Sequence, residues 1–168
     1  CDFVGSQNTL ISSQKLRSLN WSTPIKREAD GLWVYEEPKP DRDYFMTVDT
    51  SRGQGKDYSA FTIIDATEMP YKLVAKYKNN TVSPMVFPTV IRAVATKYNN
   101  AGVLVEINDI GGQVADILHE DLEYENIMMT AYKGRAGQVM NGGFGSSRTQ
   151  SQLGVRTTVP VKKLGCSI

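Results

Sequence analysis

Histidine is almost absent from this sequence of 168 residues, in which His119 is the only one. Zinc sites normally use histidine, and a serine–histidine–aspartate triad needs it as the base, so neither site is expected. The two cysteines, Cys1 and Cys166, stand at opposite ends without metal-ligand spacing, as is typical of reduced thiols. His119 lies among acidic neighbours in DILHEDLEYE, and we expect a solvated surface side chain.

Long apolar runs and C-terminal acids are also missing. No apolar run approaches the roughly 18 residues of a membrane span, so no membrane contact is expected. All 18 acidic residues lie at or before Glu125, whereas six of the 19 basic residues follow it. This basic, glycine- and serine-rich end is a candidate surface for DNA phosphates, with a solvated loop as the alternative. Its basic residues are Lys133, Arg135, Arg148, Arg156, Lys162 and Lys163.

The segment before residue 41 differs from the rest of the chain. Residues 1–40 are polar and broken by prolines, with one short predicted strand in LWVY. They contain too few apolar positions for a core of their own. We interpret them as a linker or the tail of a preceding domain, and residues 41–168 as the main domain.

From Tyr44 onward the sequence predicts regular elements. Three strands joined by short connections form an antiparallel meander. Apolar residues at helical spacing then predict a helix that packs on the sheet, followed by a buried strand in GVLVEI. A second helix and a fifth strand complete the order β-β-β-α-β-α-β. The predicted ranges are 44–50, 58–65 and 71–77 for the meander, 87–98 and 113–124 for the helices, and 102–107 and 126–130 for the last strands.

Two carboxylates fall at the ends of strands that the topology makes neighbours. Asp49 ends the apolar strand of MTVDTSRGQGKDYSAFTIID, where β-propensity disfavours an acid. A crossover through the first helix places GVLVEI parallel to that strand, about 4.7–4.9 Å away, with Glu106 near its C-terminal end. Carboxylates this close repel unless a cation lies between them, and Mg²⁺ prefers oxygen ligands. We therefore predict that Asp49 and Glu106 are metal ligands and catalytic residues, with water as the nucleophile.

Neighbouring polar residues are candidates for supporting roles. Asp57 is expected to face Asp49 across the hairpin as a supplementary ligand; the alternative is a turn aspartate that accepts backbone hydrogen bonds. Arg52 is a candidate contact for a DNA phosphate or a solvated turn charge. Asp109 is expected to cap the helix that follows it.

Four segments carry a family resemblance: VDTSRGQGKDYSAFTIID, KYKNN, VLVEINDIGGQVADIL and LGVRTTVPVKKLGCS. Together they closely resemble the nuclease domain of the large terminase subunit of T-even-type tailed bacteriophages, from about Trp33 to the last residue. The resemblance implies an α/β fold with a ribonuclease H-like mixed sheet of three antiparallel strands followed by α-β-α-β. It identifies CDFVGSQNTLIS as the end of an ATPase domain.

The resemblance also implies a function. Members of the family package DNA, and their nuclease domain is a metal-dependent endonuclease that cuts concatemeric DNA with Mg²⁺ or Mn²⁺, using two ions. Asp49 and Glu106 match its catalytic acids, and we expect the third acid and the rest of the fold beyond Ile168. The implied partners are double-stranded DNA, the ATPase domain of the same chain, the portal and the small terminase subunit. The implied location is the host cytoplasm, at the procapsid.

Two other functions stay open at this point. One is a non-catalytic module that binds DNA or docks on the portal. The other is an actin-like nucleotide-binding fold, since such folds also open with an acid, a glycine turn and a hairpin.

Overall fold

The computed structural model describes residues 22–131, 139–140 and 151–157. Residues 1–21 of the predicted tail of a preceding domain therefore lie outside the described residues, and residues 22–40 lie within them. Five of the predicted DNA-binding residues also lie outside the described ranges, namely Lys133, Arg135, Arg148, Lys162 and Lys163. Among the residues that are described, no helix is long and apolar enough to cross a membrane.

The main sheet combines a meander with one parallel strand. Its order is β1-β2-β5-β4-β3-β6, in which β6 runs parallel to β3 and the other pairs are antiparallel. The predicted meander, crossover and α/β fold class are thereby confirmed. The strands are β1 (Lys26–Arg27), β2 (Leu32–Val34), β3 (Tyr44–Asp49), β4 (Ser59–Asp65), β5 (Lys72–Asn79) and β6 (Gly102–Val105).

Strict alternation along β3 divides the sheet into two different faces. Tyr44, Met46 and Val48 are buried, whereas Thr47 and Asp49 are exposed. The buried side chains belong to the core, together with the apolar side of helix α1 (Phe87–Lys97). Because successive side chains of a strand point to opposite faces, Thr47 and Asp49 lie on the solvent face.

A stack of aromatic rings fills the core between the sheet and α1. The ring of Phe61 lies parallel to that of Tyr77, with centroids 4.9 Å apart, and 6.2 Å from that of Phe87. All three side chains are almost completely buried. Burial of such large apolar areas holds the helix on the face of the sheet opposite the exposed Thr47 and Asp49.

The second helix is shorter and less regular than predicted. Helix α2 (Gly111–Asp116) continues as one π-helical turn, Ile117–Asp121, and does not reach Tyr124. The prediction for His119 is wrong in part: its side chain is 31% exposed, and its Nδ1 is buried. Leu118, its neighbour in the π-helical turn, packs into the core.

The predicted fifth strand divides its residues between two sheets. Ile127 makes a single parallel bridge to Val103 at the edge of the main sheet. The chain then enters a second sheet of β7 (Met129–Ala131), β8 (Val139–Met140) and β9 (Ser151–Leu153), in the order β8-β7-β9.

The main sheet also begins before the predicted boundary at residue 41. β2 pairs with β5, and the side chains of Leu32 and Val34 are buried in the core. Residues 32–34 are therefore part of the sheet rather than of a linker. Three residues are too few to show a periodic pattern, and their burial comes from pairing with a strand some 40 positions later.

Tyr124 provides a test of how the edge of the sheet is held. Its buried hydroxyl donates to the carbonyl of Ala101 at 2.6 Å, and burial raises its pKa to about 12. Tyr124→Phe should cost about 1 kcal/mol of unfolding free energy at pH 7. A raised pKa favours the folded state only while the unfolded tyrosine, with its pKa near 10, stays neutral. The wild-type advantage should therefore shrink as the pH rises from 10 to 12, in urea titrations of both proteins. An unchanged difference across this range would contradict the assignment.

Candidate metal centre

The two predicted carboxylates meet where β3 and β6 end. Val48 pairs with Val105 in the parallel register, and the amide of Glu106 donates to the carbonyl of Val48 at 2.9 Å. Asp49 and Glu106 therefore occupy the next positions of two adjacent strands. The predicted juxtaposition of these two residues follows from the observed register.

Both carboxylates line one open groove of about 290 Å³ on the solvent face of the sheet. Its floor is formed by exposed and half-buried residues of β3 and β4, including Thr47 and Thr62, whose hydroxyls are 2.7 Å apart. Val155 and Thr157 close one side. The two acids thus share one open cleft with the threonines of the sheet.

A segment distant in sequence holds Glu106 in place. Val155 donates its amide to the carbonyl of Val105 at 2.8 Å and accepts the amide of Ile107 at 3.0 Å, so it extends the sheet beside Glu106. The hydroxyl of Thr157 then donates to Oε1 of Glu106. These contacts fix the backbone on both sides of the acid.

Asn108 completes this arrangement from the other side. Its Nδ2 donates to Oε1 of Glu106 at 2.7 Å and to the carbonyl of Thr157 at 2.9 Å. Sequence reasoning missed both residues. The asparagine in VEIND, two positions beyond the acid, offered a weak signal, whereas no local feature marks Thr157, which lies 51 residues from Glu106.

Asp57 lies in the loop after β3 and not directly opposite Asp49. The residue opposite Asp49 is Ala60, so the expected facing arrangement is wrong. The backbone carbonyl of Asp57 instead accepts the hydroxyl of Ser51 at 3.0 Å. Its carboxylate is exposed, and its role as a supplementary ligand stays a prediction.

Arg52 and Asp109, each three residues beyond one of the two acids, form an ion pair. Nε and Nη2 of Arg52 donate to Oδ2 and Oδ1 of Asp109 at 3.0 and 2.6 Å. These hydrogen bonds lower the pKa of Asp109 and raise that of Arg52. The predicted helix cap is wrong, because α2 has Ile110 at its N-cap and no side-chain cap bond. Arg52 is not among the described residues that line the groove, and its role as a phosphate contact stays a prediction.

The donor set fits a hard divalent cation. Asp49 and Glu106 offer only oxygen atoms, and Mg²⁺ is commonly bound through one or two carboxylates, with waters and substrate phosphates as its other ligands. Within the described ranges, no group of three or more His, Cys, Asp or Glu side chains could hold a metal. The described part of the site is therefore a two-carboxylate site.

The family model of the terminase RNaseH-like domain matches residues 46–143. The chain belongs to this family. The match covers the Asp49 hairpin, α1, β6 with Glu106, and α2, which are the elements that build the site. It confirms the predicted ribonuclease H-like fold of a terminase nuclease domain and leaves the actin-like alternative without support.

Solved structures show the same fold. The large terminase nuclease from thermophilic phage G20c with bound cobalt superposes with a TM-score of 0.56 at 20% identity, over 73% of this chain and 59% of that chain. The zinc-bound form gives a TM-score of 0.51 at 22% identity, over 61% and 56%. The terminase domain described here thus spans 59% of the length of the cobalt-bound nuclease.

Proposed function

We propose that this terminase domain is a metal-dependent DNA endonuclease. The observation that carries the proposal is the position of Asp49 and Glu106, one residue beyond the pair Val48–Val105 of two adjacent strands and in one open groove. Bound cobalt and zinc in structures of the same fold support a divalent metal. The proposed substrate is concatemeric double-stranded DNA, and the proposed ions are two Mg²⁺ or Mn²⁺.

In this proposal Asp49 and Glu106 are the residues that hold the metal. Bound divalent ions supply a nucleophilic water near neutral pH and stabilise the charge on the leaving oxygen of a phosphodiester. Asn108 and Thr157 orient the Glu106 carboxylate through its Oε1 atom. The open groove, which Asp49 and Glu106 line, admits the DNA strand in this proposal, and Arg52, three residues after Asp49, is a proposed phosphate contact.

The remaining parts of the proposal concern the whole protein. We propose an ATPase domain in the same polypeptide, with the portal and the small terminase subunit as partners during packaging. The proposed place of action is the host cytoplasm, at the procapsid. Arg156, which is exposed next to Thr157, is the described member of the predicted basic C-terminal group and a proposed DNA contact.

Plasmid cleavage tests the proposal. The purified chain, and in parallel the complete natural reading frame, is incubated with supercoiled plasmid and Mg²⁺ or Mn²⁺, with EDTA as the control. Nicking or linearisation that requires added metal is expected. DNA binding without metal-dependent cleavage by either protein would contradict the proposal and favour a non-catalytic DNA-binding or portal-docking module.

Substitutions at Thr157 test whether its hydroxyl orients the Glu106 carboxylate for metal binding. Thr157→Val keeps the shape of the side chain and removes the hydroxyl that donates to Glu106. Loss of such an outer contact typically lowers metal affinity or activity by about 10–100-fold. Thr157→Ser keeps the hydroxyl and is the matched control. Isothermal titration with Mn²⁺ should show weaker binding for the valine variant only, and equal affinities for both variants would refute the orienting role.

A further inference from the structure

A row of side chains crosses the solvent face of the sheet, starting at the metal centre. The strand registers place Thr47 opposite Thr62, Thr62 opposite Lys76, Lys76 opposite Trp33, and Trp33 opposite Arg27. Directly paired residues point to the same face of a sheet. Ala60, which is opposite Asp49, is in turn opposite Lys78. The row therefore connects the carboxylates with three basic residues.

Each of these three basic side chains lies over the face of an aromatic ring. Lys76 Nζ lies 4.3 Å from the ring centroid of Trp33, and Arg27 Cζ lies 4.5 Å from it. Lys78 Nζ lies 3.9 Å from the ring of Tyr58, whose side chain is 45% exposed. Cations at such distances are attracted to the ring face. The rings restrain the three cations and leave their charge available.

Among the described residues, these three cations form no ion pair with a carboxylate. None of the ion pairs that described residues form with one another includes Arg27, Lys76 or Lys78. By contrast, Lys26, Lys39 and Lys97 each lie within 3.0 Å of a glutamate. Positive charge that forms no ion pair with a described carboxylate, on an exposed face of the sheet, suits a polyanion.

The groove at the metal centre continues along this row. A second groove, of about 460 Å³, is lined by Trp33, Lys76 and Lys78 and shares Ala60, Phe61 and Thr62 with the first. From β3 to β1 there are four strand steps, or roughly 19 Å at about 4.8 Å each. At 3.4 Å per nucleotide along one strand, this is about the length of five or six nucleotides of a DNA duplex.

We infer that Arg27, Lys76 and Lys78, with Trp33 and Tyr58, form a basic strip that binds the DNA backbone on its way to Asp49 and Glu106. The inference rests on the proposed nuclease function and adds the path of the substrate over the sheet. Contacts of this kind bind phosphates without reading the sequence. The path differs from the predicted one, which relied on Arg52 and the basic C-terminal group.

The test measures DNA binding without cleavage. Fluorescence anisotropy of a labelled 20-base-pair duplex in EDTA reports the affinity of the chain between 0.05 and 0.2 M NaCl. The variant Lys76→Ala/Lys78→Ala should bind about tenfold or more weakly at 0.1 M salt. Its log–log salt slope should fall by about 2, because two phosphate contacts are lost. Lys76→Arg/Lys78→Arg keeps the charge and should bind as tightly as wild type.

Lys72→Ala is the matched control. Lys72 is an exposed lysine on the same strand as Lys76. At 3.3 Å per residue the two lysines are about 13 Å apart, which is more than the Debye length of about 10 Å at 0.1 M salt. Its removal should change affinity by less than twofold. Wild-type affinity in the Lys76/Lys78 variant, or an equal loss for Lys72→Ala, would overturn the inference. Melting temperatures of all variants identify any loss of folding.

The two proposals can fail independently. If the strip variant binds normally while wild type shows metal-dependent cutting, the strip is wrong and the nuclease function stands. If the strip variant binds weakly but neither protein cuts with any divalent metal, the strip is right and the nuclease function is wrong.

Discussion

Asp49→Asn and Glu106→Gln should each lower the rate of Mn²⁺-dependent plasmid nicking by on the order of 1,000-fold or more. Each change replaces a charged metal ligand with a neutral amide of almost the same shape. The amide cannot balance the charge of a divalent ion, so metal occupancy and the activation of water are lost together. Asp49 is exposed and Glu106 is half-buried, so neither change should disturb the core.

A remote carboxylate provides the control for this prediction. Glu68 is an exposed glutamate beside Arg42, near the end of the sheet opposite the metal centre. Glu68→Gln removes the same charge and should leave the rate within about twofold of wild type. Two further measurements separate the loss of a metal ligand from misfolding. The site variants should keep the wild-type melting temperature, and their isothermal titration with Mn²⁺ should show no binding heat. Wild-type nicking by either site variant would show that the carboxylate pair is not the catalytic centre.

The same nicking assay tests whether Asp57 is a supplementary metal ligand. As a supplementary ligand it would lower nicking when changed to asparagine, by less than Asp49→Asn. As a loop residue whose carbonyl accepts the hydroxyl of Ser51, it would leave the rate unchanged. Its place in the loop beyond the β3–β4 register favours the second result.

The parts of the fold that could be predicted are those encoded by neighbours in sequence. Alternation in β3 and β4 and the short hairpin between them give an antiparallel pair. An amphipathic helix before a buried strand then gives a crossover to the parallel position beside β3. Asp49 and Glu106 meet because these two local rules combine, so the central pair of the site could be predicted as well.

The parts that could not be predicted depend on pairing between distant segments. Thr157 contacts Glu106 only because Val155 pairs with the end of β6, about 50 residues earlier in the chain. Likewise, Trp33 lies beside Lys76 only because β2 adds to β5 in one particular register. A shift of that register by one residue would move Trp33 to the opposite face. No local periodicity specifies such a register. The sequence therefore predicted DNA contacts mainly in the C-terminal third, where basic residues are present and acidic ones are not.

Gly111→Ala should be strongly destabilising, although it adds only one methyl group near the site. Gly111 is the first residue of α2, and a methyl group there would overlap the backbone oxygen of Glu106 and lie 3.0 Å from Oγ1 of Thr50. Backbone cannot move aside as a flexible side chain can. The change should therefore cost about 3 kcal/mol of unfolding free energy, the upper end of the usual cost of overpacking. At 2–4 °C per kcal/mol, the melting temperature should fall by roughly 6–12 °C.

Gly112→Ala is the matched control, one position further along the same helix. A methyl group at Gly112 would meet no atom within 4 Å, and alanine favours a helix over glycine by about 1 kcal/mol. It should therefore be neutral or slightly stabilising in urea denaturation. Equal stabilities for the two variants would show that α2 does not lie against the backbone of Glu106. Because the displaced atom belongs to Glu106 itself, Gly111→Ala should also weaken Mn²⁺ binding under conditions where the protein is still folded. The close approach of helix and strand at Gly111 thus determines both the stability of this corner and the position of the metal ligand.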